Sequence, residues 1–214
     1  MRSLLASGDA TPALFRAALT AVAPMHRDAW LDRVLALDER PEDRLPEDGP
    51  ALPRGCAPYL PCPVDSLLAA VDLADVTPPD VFIDVGAGIG RAVVAAHLLT
   101  GASAIGLEIQ PQHAAAGARH AKAIGLSRVS MVVGDAAEHT RTLATGSVFF
   151  LYCPFSGERL ARLMRDLEAI AKTRQIRVCC VDLPLSPGDW LTAIPSPLAS
   201  LTVYRSRPPS FEKP

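Results

Sequence analysis

The stretch Asp84-Val85-Gly86-Ala87-Gly88-Ile89-Gly90-Arg91 decides how the rest of the chain reads. It follows the apolar run Val81-Phe82-Ile83 and precedes Ala92-Val93-Val94-Ala95-Ala96, so it closes a strand and opens a helix. Glycines at alternate positions let the backbone adopt left-handed angles and let a ligand come close. The helix behind them offers unpaired N–H groups and the positive end of its dipole.

Outward from this turn, strands and helices alternate. Apolar runs at 103–108, 128–133, 147–152 and 176–183 read as strands, as does 81–85. Helical spacing fills the gaps at 91–100, 111–124, 136–144 and 157–172, with Gly101 and Gly125 as stops and Pro111 near a start. Such alternation predicts a doubly wound α/β fold, a parallel sheet with helices on both faces. The apolar runs 189–196 and 198–206 lie too close for a crossover helix, so they are expected to be antiparallel neighbours. Upstream, helices are predicted at 12–23 and 26–39, with Pro12 and Pro24 in first turns. A strap rich in Pro, Asp and Glu follows them. The expected organisation is a helical extension and strap over 1–56 and a main domain over 57–214. The apolar rows Leu14, Phe15, Ala18, Val22 and Trp30, Val34, Leu37 are too small to form their own core and must dock elsewhere. The extension is expected to cover the acceptor opening as a lid.

Composition bounds the function. A 49% hydrophobic content over 214 residues excludes a disordered chain. With 21 basic and 23 acidic residues there is no basic field, and nucleic acid is not an expected partner. Apolar runs are of strand length, short of a membrane span. The five cysteines, Cys56, Cys62, Cys153, Cys179 and Cys180, have no C-x-x-C spacing and read as buried thiols, so a cytoplasmic location is expected. No metal-ligand spacing stands out and no metal is expected.

The dinucleotide fingerprint G-x-G-x-x-G would place its third glycine at position 91, where this chain has Arg91. Two other carboxylates sharpen the reading. Glu108 ends the second strand and can accept hydrogen bonds from ribose hydroxyls. Asp135 ends the third and can accept from an exocyclic amine. Asp84 can anchor the turn or a bound ammonium. All three fall at C-terminal strand ends, where open α/β sheets bind ligands. With D-x-G-x-G-x-G (84–90), Glu108, Gly134-Asp135-Ala136 and the terminal hairpin, residues 57–206 resemble the class I, Rossmann-like S-adenosylmethionine-dependent methyltransferases. The resemblance implies the sheet order 3-2-1-4-5-7-6 with the last strand antiparallel. It implies S-adenosylmethionine as cofactor and S-adenosylhomocysteine as product. The amino-acid end of the cofactor would be held by Asp84, Gly86, Ala87, Gly88 and Gly90, the ribose by Glu108 with Ile109, and the adenine by Asp135 with Ala136. The opening from Pro58 to Ala96 looks more narrowly like the non-SET histone-lysine and small protein-lysine methyltransferases, with Cys62 where a hydroxyl residue is usual. There the strap would lie over the cofactor, with Tyr59 and Pro61 as its wall.

The segment Tyr152-Cys153-Pro154-Phe155-Ser156 follows the fourth strand, where the methyl group would face its acceptor. Enzymes acting on adenine or glutamine amines carry Asn/Asp-Pro-Pro-Tyr there, which this chain lacks. Methyl transfer from a sulfonium mainly requires positioning of the nucleophile. Tyr152 is the candidate catalytic residue. His26, His97, His113, His120 and His139 all lie on predicted helices, and His139 is nearest the site. Arg159, Arg162 and Arg165 read as a solvated helix face. The expected function is methyl transfer to an amine or hydroxyl, first to a protein lysine. The alternatives are a small metabolite under the lid, S-adenosylmethionine binding without catalysis, and a nicotinamide-dependent oxidoreductase. No membrane partner is expected.

Overall fold

Short runs of β-branched and aromatic residues form the sheet, and their alternation divides the core in two. The computed structural model describes residues 1–37, 52–53, 55–185 and 188–208. Its strands are β1 (Val81–Val85), β2 (Ser103–Glu108), β3 (Val129–Val133), β4 (Val148–Tyr152), β5 (Arg177–Val181), β6 (Leu191–Ile194) and β7 (Leu201–Ser206). They form one seven-stranded sheet in the order β3-β2-β1-β4-β5-β7-β6. β7 runs antiparallel to both β5 and β6, and the other pairings are parallel. Successive side chains of a strand point to opposite faces. Phe82, Phe150 and Cys179 therefore join one core, and Ile83, Phe149 and Cys180 the other.

Helices α4 (Val64–Leu73), α5 (Arg91–Thr100) and α6 (Pro111–Ala123) cover the first face, while α7 (Thr140–Leu143) and α8 (Gly157–Ala171) cover the second. Register aligns the strand ends that matter. Val85 sits opposite Leu107 and Leu151, Glu108 opposite Val133, and Tyr152 opposite Val181. Sheet order reverses between β1 and β4, so a crevice opens there at the C-terminal edge.

The extension differs from its sequence reading. An unanticipated helix α1 (Arg2–Ser7) precedes α2 (Pro12–Thr20), and α3 (Arg27–Leu35) is shorter than the predicted 26–39 because Ala36 turns left-handed at φ 57°. Residues 38–51, the last two of the predicted helix and most of the strap, lie outside the described residues. The buried face of α2 is Phe15 and Leu19, while Leu14 is 48% exposed. That face follows i, i+4 spacing because α2 packs on α5 and α3. Leu31, Val34 and Leu35 of α3 join the same core as Phe15 and Val93. Burying Phe15 contributes about 1.5–3 kcal/mol. Arg16 pairs with Asp72 (2.7 Å) and Arg27 with Asp65 (2.6 Å), fastening the extension to α4. It therefore flanks the helical layer. α7 is also shorter than predicted, because Asp135 diverts the chain at 135–138 into a turn.

Candidate functional site

The turn after β1 is left-handed at each glycine, with φ 80° at Gly86, 54° at Gly88 and 75° at Gly90. A Cβ at Gly86 would lie 2.7 Å from Pro154, and one at Gly88 would collide with the ring of Tyr59. Gly86 and Ala87 donate their N–H groups to Leu107 O at 2.9 and 3.0 Å, which ties the turn to β2. Glu108, 5% exposed, completes the tie: Oε2 accepts from Gly88 N–H at 2.7 Å and Oε1 from Gln110 N–H at 2.8 Å. A carboxylate has about four lone-pair sites, so this leaves two for a ligand.

Asp84 is 4% exposed. Burial, and after it the charge of Glu108, push its carboxyl up to about 8, and no hydrogen bond among the described residues offsets this. It faces the strap: burial is the main reason the Cys62 thiol is pushed up, with the Asp84 charge next. Asp135 accepts from Ala137 N–H at 3.0 Å through Oδ1 and pairs with Arg159 through Oδ2.

Glu108 and Asp135 line a cavity of about 460 Å³. Among the residues singled out from sequence, Tyr59, Gly86, Gly88, Glu108 and Ile109 line it, as do Asp135, Ala136 and Tyr152. Asp84, Ala87 and Gly90 are not on its wall. Gly90 is packed instead, since a Cβ there would lie 2.8 Å from the sulfur of Met131. The strap forms the roof with Leu52 and residues 56–60, whereas Pro61 is exposed outside it. None of residues 1–37 lines the cavity, so the expected covering role falls to the strap and not to the helices. The strap is stitched down by a β-bridge between Cys56 and Phe155, by Ala57 N–H to Pro154 O (3.1 Å), and by Ser156 N–H to Gly55 O (2.9 Å). Tyr59 packs on His113 with ring centroids 5.4 Å apart.

No protein-family model matches the sequence, and no curated protein does. Solved structures do match. An RNA methyltransferase from Salinibacter ruber, in complex with S-adenosyl-L-homocysteine, superposes with TM-score 0.53 at 26% identity over 72% of this chain and 97% of its own. A mutant of MtNAS in complex with S-adenosylmethionine gives 0.51 at 13% identity, covering 69% and 62%. TrmN from Thermus thermophilus gives 0.50 at 17%, covering 66% and 48%. The chain has the fold of S-adenosylmethionine-dependent methyltransferases.

In this methyltransferase fold the ends of β4 and β5 close the far end of the cavity with Tyr152, Cys153 and Asp182. Cys153 and Asp182 both turn left-handed, at φ 41° and 49°. Such angles cost energy in residues with a Cβ and cluster at functional sites. The Cys153 thiol donates to Asp182 O at 2.7 Å, locking the two turns together. Burial raises both the Tyr152 phenol and the Cys153 thiol above their ordinary values. Both are therefore neutral near pH 7 and poor bases.

Three groups escaped the sequence reading. Arg91, 6% exposed, donates to Asp32 (2.5 Å) and Asp28 (2.8 Å) of α3 and to Cys62 O (2.7 Å) of the strap. The departure from the dinucleotide fingerprint at this position was its visible signal. Arg159 reaches Asp135 from the first turn of α8, so the stripe is not merely solvated. Asp182, just beyond β5, joins Tyr152 and Cys153 on the cavity wall with no motif to announce it. None of the five histidines lines the cavity: His113 is buried behind Tyr59, and His139 rests against Gly134. Among the described residues no helix is long and apolar enough to cross a membrane, and no group of three or more His, Cys, Asp or Glu is placed to hold a metal.

Proposed function

We propose that this chain is an S-adenosylmethionine-dependent methyltransferase whose acceptor is an amine, in first place the side chain of a protein lysine. The observation that carries the reading is the pair of strand-end carboxylates, Glu108 and Asp135, on the wall of one roofed cavity beside a glycine turn where a Cβ would meet Pro154 or Tyr59, with Asp84 buried in β1 just before that turn. Gly86 and Gly88 make room for the amino-acid end of the cofactor, Asp84 meets its ammonium, Glu108 takes the ribose hydroxyls and Asp135 the adenine amine. When bound, the cofactor supplies an electrophilic methyl group on sulfur, already a good leaving group. The chain's own task is to align the acceptor for in-line attack and keep water out. The strap excludes water from above.

The acceptor end favours an amine. An oxygen nucleophile usually wants a general base, and Tyr152 and Cys153, both raised by burial, serve that role badly. An amine needs only to arrive uncharged. Asp182 draws a cationic side chain toward the opening and accepts a hydrogen bond from its N–H. Tyr152 Oη is a positioning contact, not a base. The narrower resemblance of residues 58–96 to protein-lysine methyltransferases adds the lysine. A metabolite amine is the second reading, favoured by the strap that roofs the cavity.

The experiment is incubation of the protein with methyl-labelled S-adenosylmethionine and cell lysate, followed by separation of protein, nucleic acid and small molecules. Label in protein, retained as methyl-lysine after hydrolysis, is the expected result. Label in small molecules selects the second reading, and label in RNA overturns both. Glu108→Ala is expected to weaken S-adenosylhomocysteine binding by about 1.5–3 kcal/mol. Binding by the wild type without transfer to any fraction identifies a non-catalytic cofactor-binding protein.

A further inference from the structure

The three arginines on one side of α8 have different partners. Arg162 and Arg165 reach Glu138 and Glu158 on the exposed surface, at 3.7 and 2.8 Å. Pairs of that kind contribute little. Arg159 reaches Asp135, which lines the cavity, and this pair is half-buried. α8 is already held by Leu163 and Leu167, both fully buried, so docking of the helix does not depend on the pair.

The Asp135 carboxylate is thus pinned from two sides. Oδ1 accepts from Ala137 N–H at 3.0 Å, and Oδ2 accepts from Arg159. Of about four lone-pair sites, two are spent on the protein, and the remainder can only accept. A group held in this way welcomes a donor and repels an acceptor. The exocyclic amine at position 6 of adenine is a donor, while the oxygen at position 6 of hypoxanthine is an acceptor. Without the guanidinium, the carboxylate keeps only the Ala137 N–H tether and is free to rotate away from the purine edge, so its contrast between donor and acceptor at position 6 falls.

We propose that Arg159 is a positioning residue that holds the Asp135 carboxylate turned toward the purine edge and so makes the site select a 6-amino over a 6-oxo purine. The proposal rests on the cofactor reading above and adds to it a residue that does not touch the purine through any family motif.

The test compares S-adenosylhomocysteine with S-inosylhomocysteine, its 6-oxo counterpart, by calorimetry on wild type, Arg159→Met and Arg159→Gln, with melting temperatures recorded for each. Both variants remove the charge, and the preference ratio is read from either one that folds. Wild type is expected to prefer the amino compound by at least about tenfold, the scale of a hydrogen bond to a charged group. The variants are expected to reduce that preference to about threefold or less, with melting temperatures within a few degrees of wild type. A wild-type ratio retained in the variants overturns the role of Arg159 and leaves the cofactor reading standing. Equal binding of both compounds by wild type also overturns it. Wild-type protein that binds neither compound overturns the cofactor reading and the proposal together.

Discussion

Binding of S-adenosylhomocysteine at pH 7 is expected to release close to one proton, and Asp84 is the group that releases it. Burial and the neighbouring Glu108 charge raise its carboxyl to about 8 in the free protein. The ordinary value is about 3.9, so near pH 7 Asp84 is largely neutral in the folded protein. An ammonium brought to the glycine turn favours the ionised form. The proton then leaves, and affinity is expected to climb about tenfold per pH unit between about 6 and 8. The rise flattens near 8, where the ligand's own α-amino group begins to titrate. The sign for folding is opposite to that of a salt-bridged aspartate. A folded value above the unfolded one means the free protein loses stability as pH rises from about 4 to 8, with no cost below that window and a constant cost above it. Asp84→Asn keeps the shape and removes the titration. It is expected to bind about 1.5–3 kcal/mol more weakly than wild type at pH 8, with the gap closing toward pH 6. The assay is calorimetry at pH 7 in phosphate and in Tris, whose ionisation enthalpies differ. Equal observed enthalpies in the two buffers, or an Asn variant with the wild-type pH profile, would refute the reasoning.

Gly88→Ala puts a methyl group into the Tyr59 ring at a backbone φ of 54°, so it is expected to lift the strap and weaken S-adenosylhomocysteine binding at least about tenfold. Adding Tyr59→Ala restores the space but not the backbone angle and should recover only part; wild-type affinity in the single variant would remove Tyr59 from the turn. Arg91→Met strips Asp28, Asp32 and Cys62 O of their common donor. Because both aspartates are partly exposed, the loss in urea denaturation is expected near the lower end of about 3–5 kcal/mol, and a loss below about 1 kcal/mol would show that the extension is held without Arg91.

What could be read in advance was local, and what could not was long-range. The parallel sheet followed from alternation and the antiparallel pair from the short link between β6 and β7, while the strand order came from the resemblance. Gly86, Glu108 and Asp135 could be named because each sits at a strand end that the sequence itself marks. α1 was invisible because six residues with little apolar periodicity form a helix here only by packing Leu5 into the common core. Leu14 was misplaced for a related reason: periodicity finds an apolar stripe, but only the partner helix decides whether Leu14 or Leu19 turns inward. Arg91 combines both lessons. In a dinucleotide site the residue here is a glycine, and its lack of a side chain lets the helix pack closely on the strand. This chain places a buried guanidinium there and turns it toward α3, 59 positions back in sequence at Asp32, and toward the strap at Cys62. The residue that breaks the dinucleotide pattern also ties α3 and the strap to the helix opening at the glycine turn. Change at position 91 therefore reaches α3 and the strap together, a coupling that spacing alone cannot reveal because its ends meet only after the chain has folded.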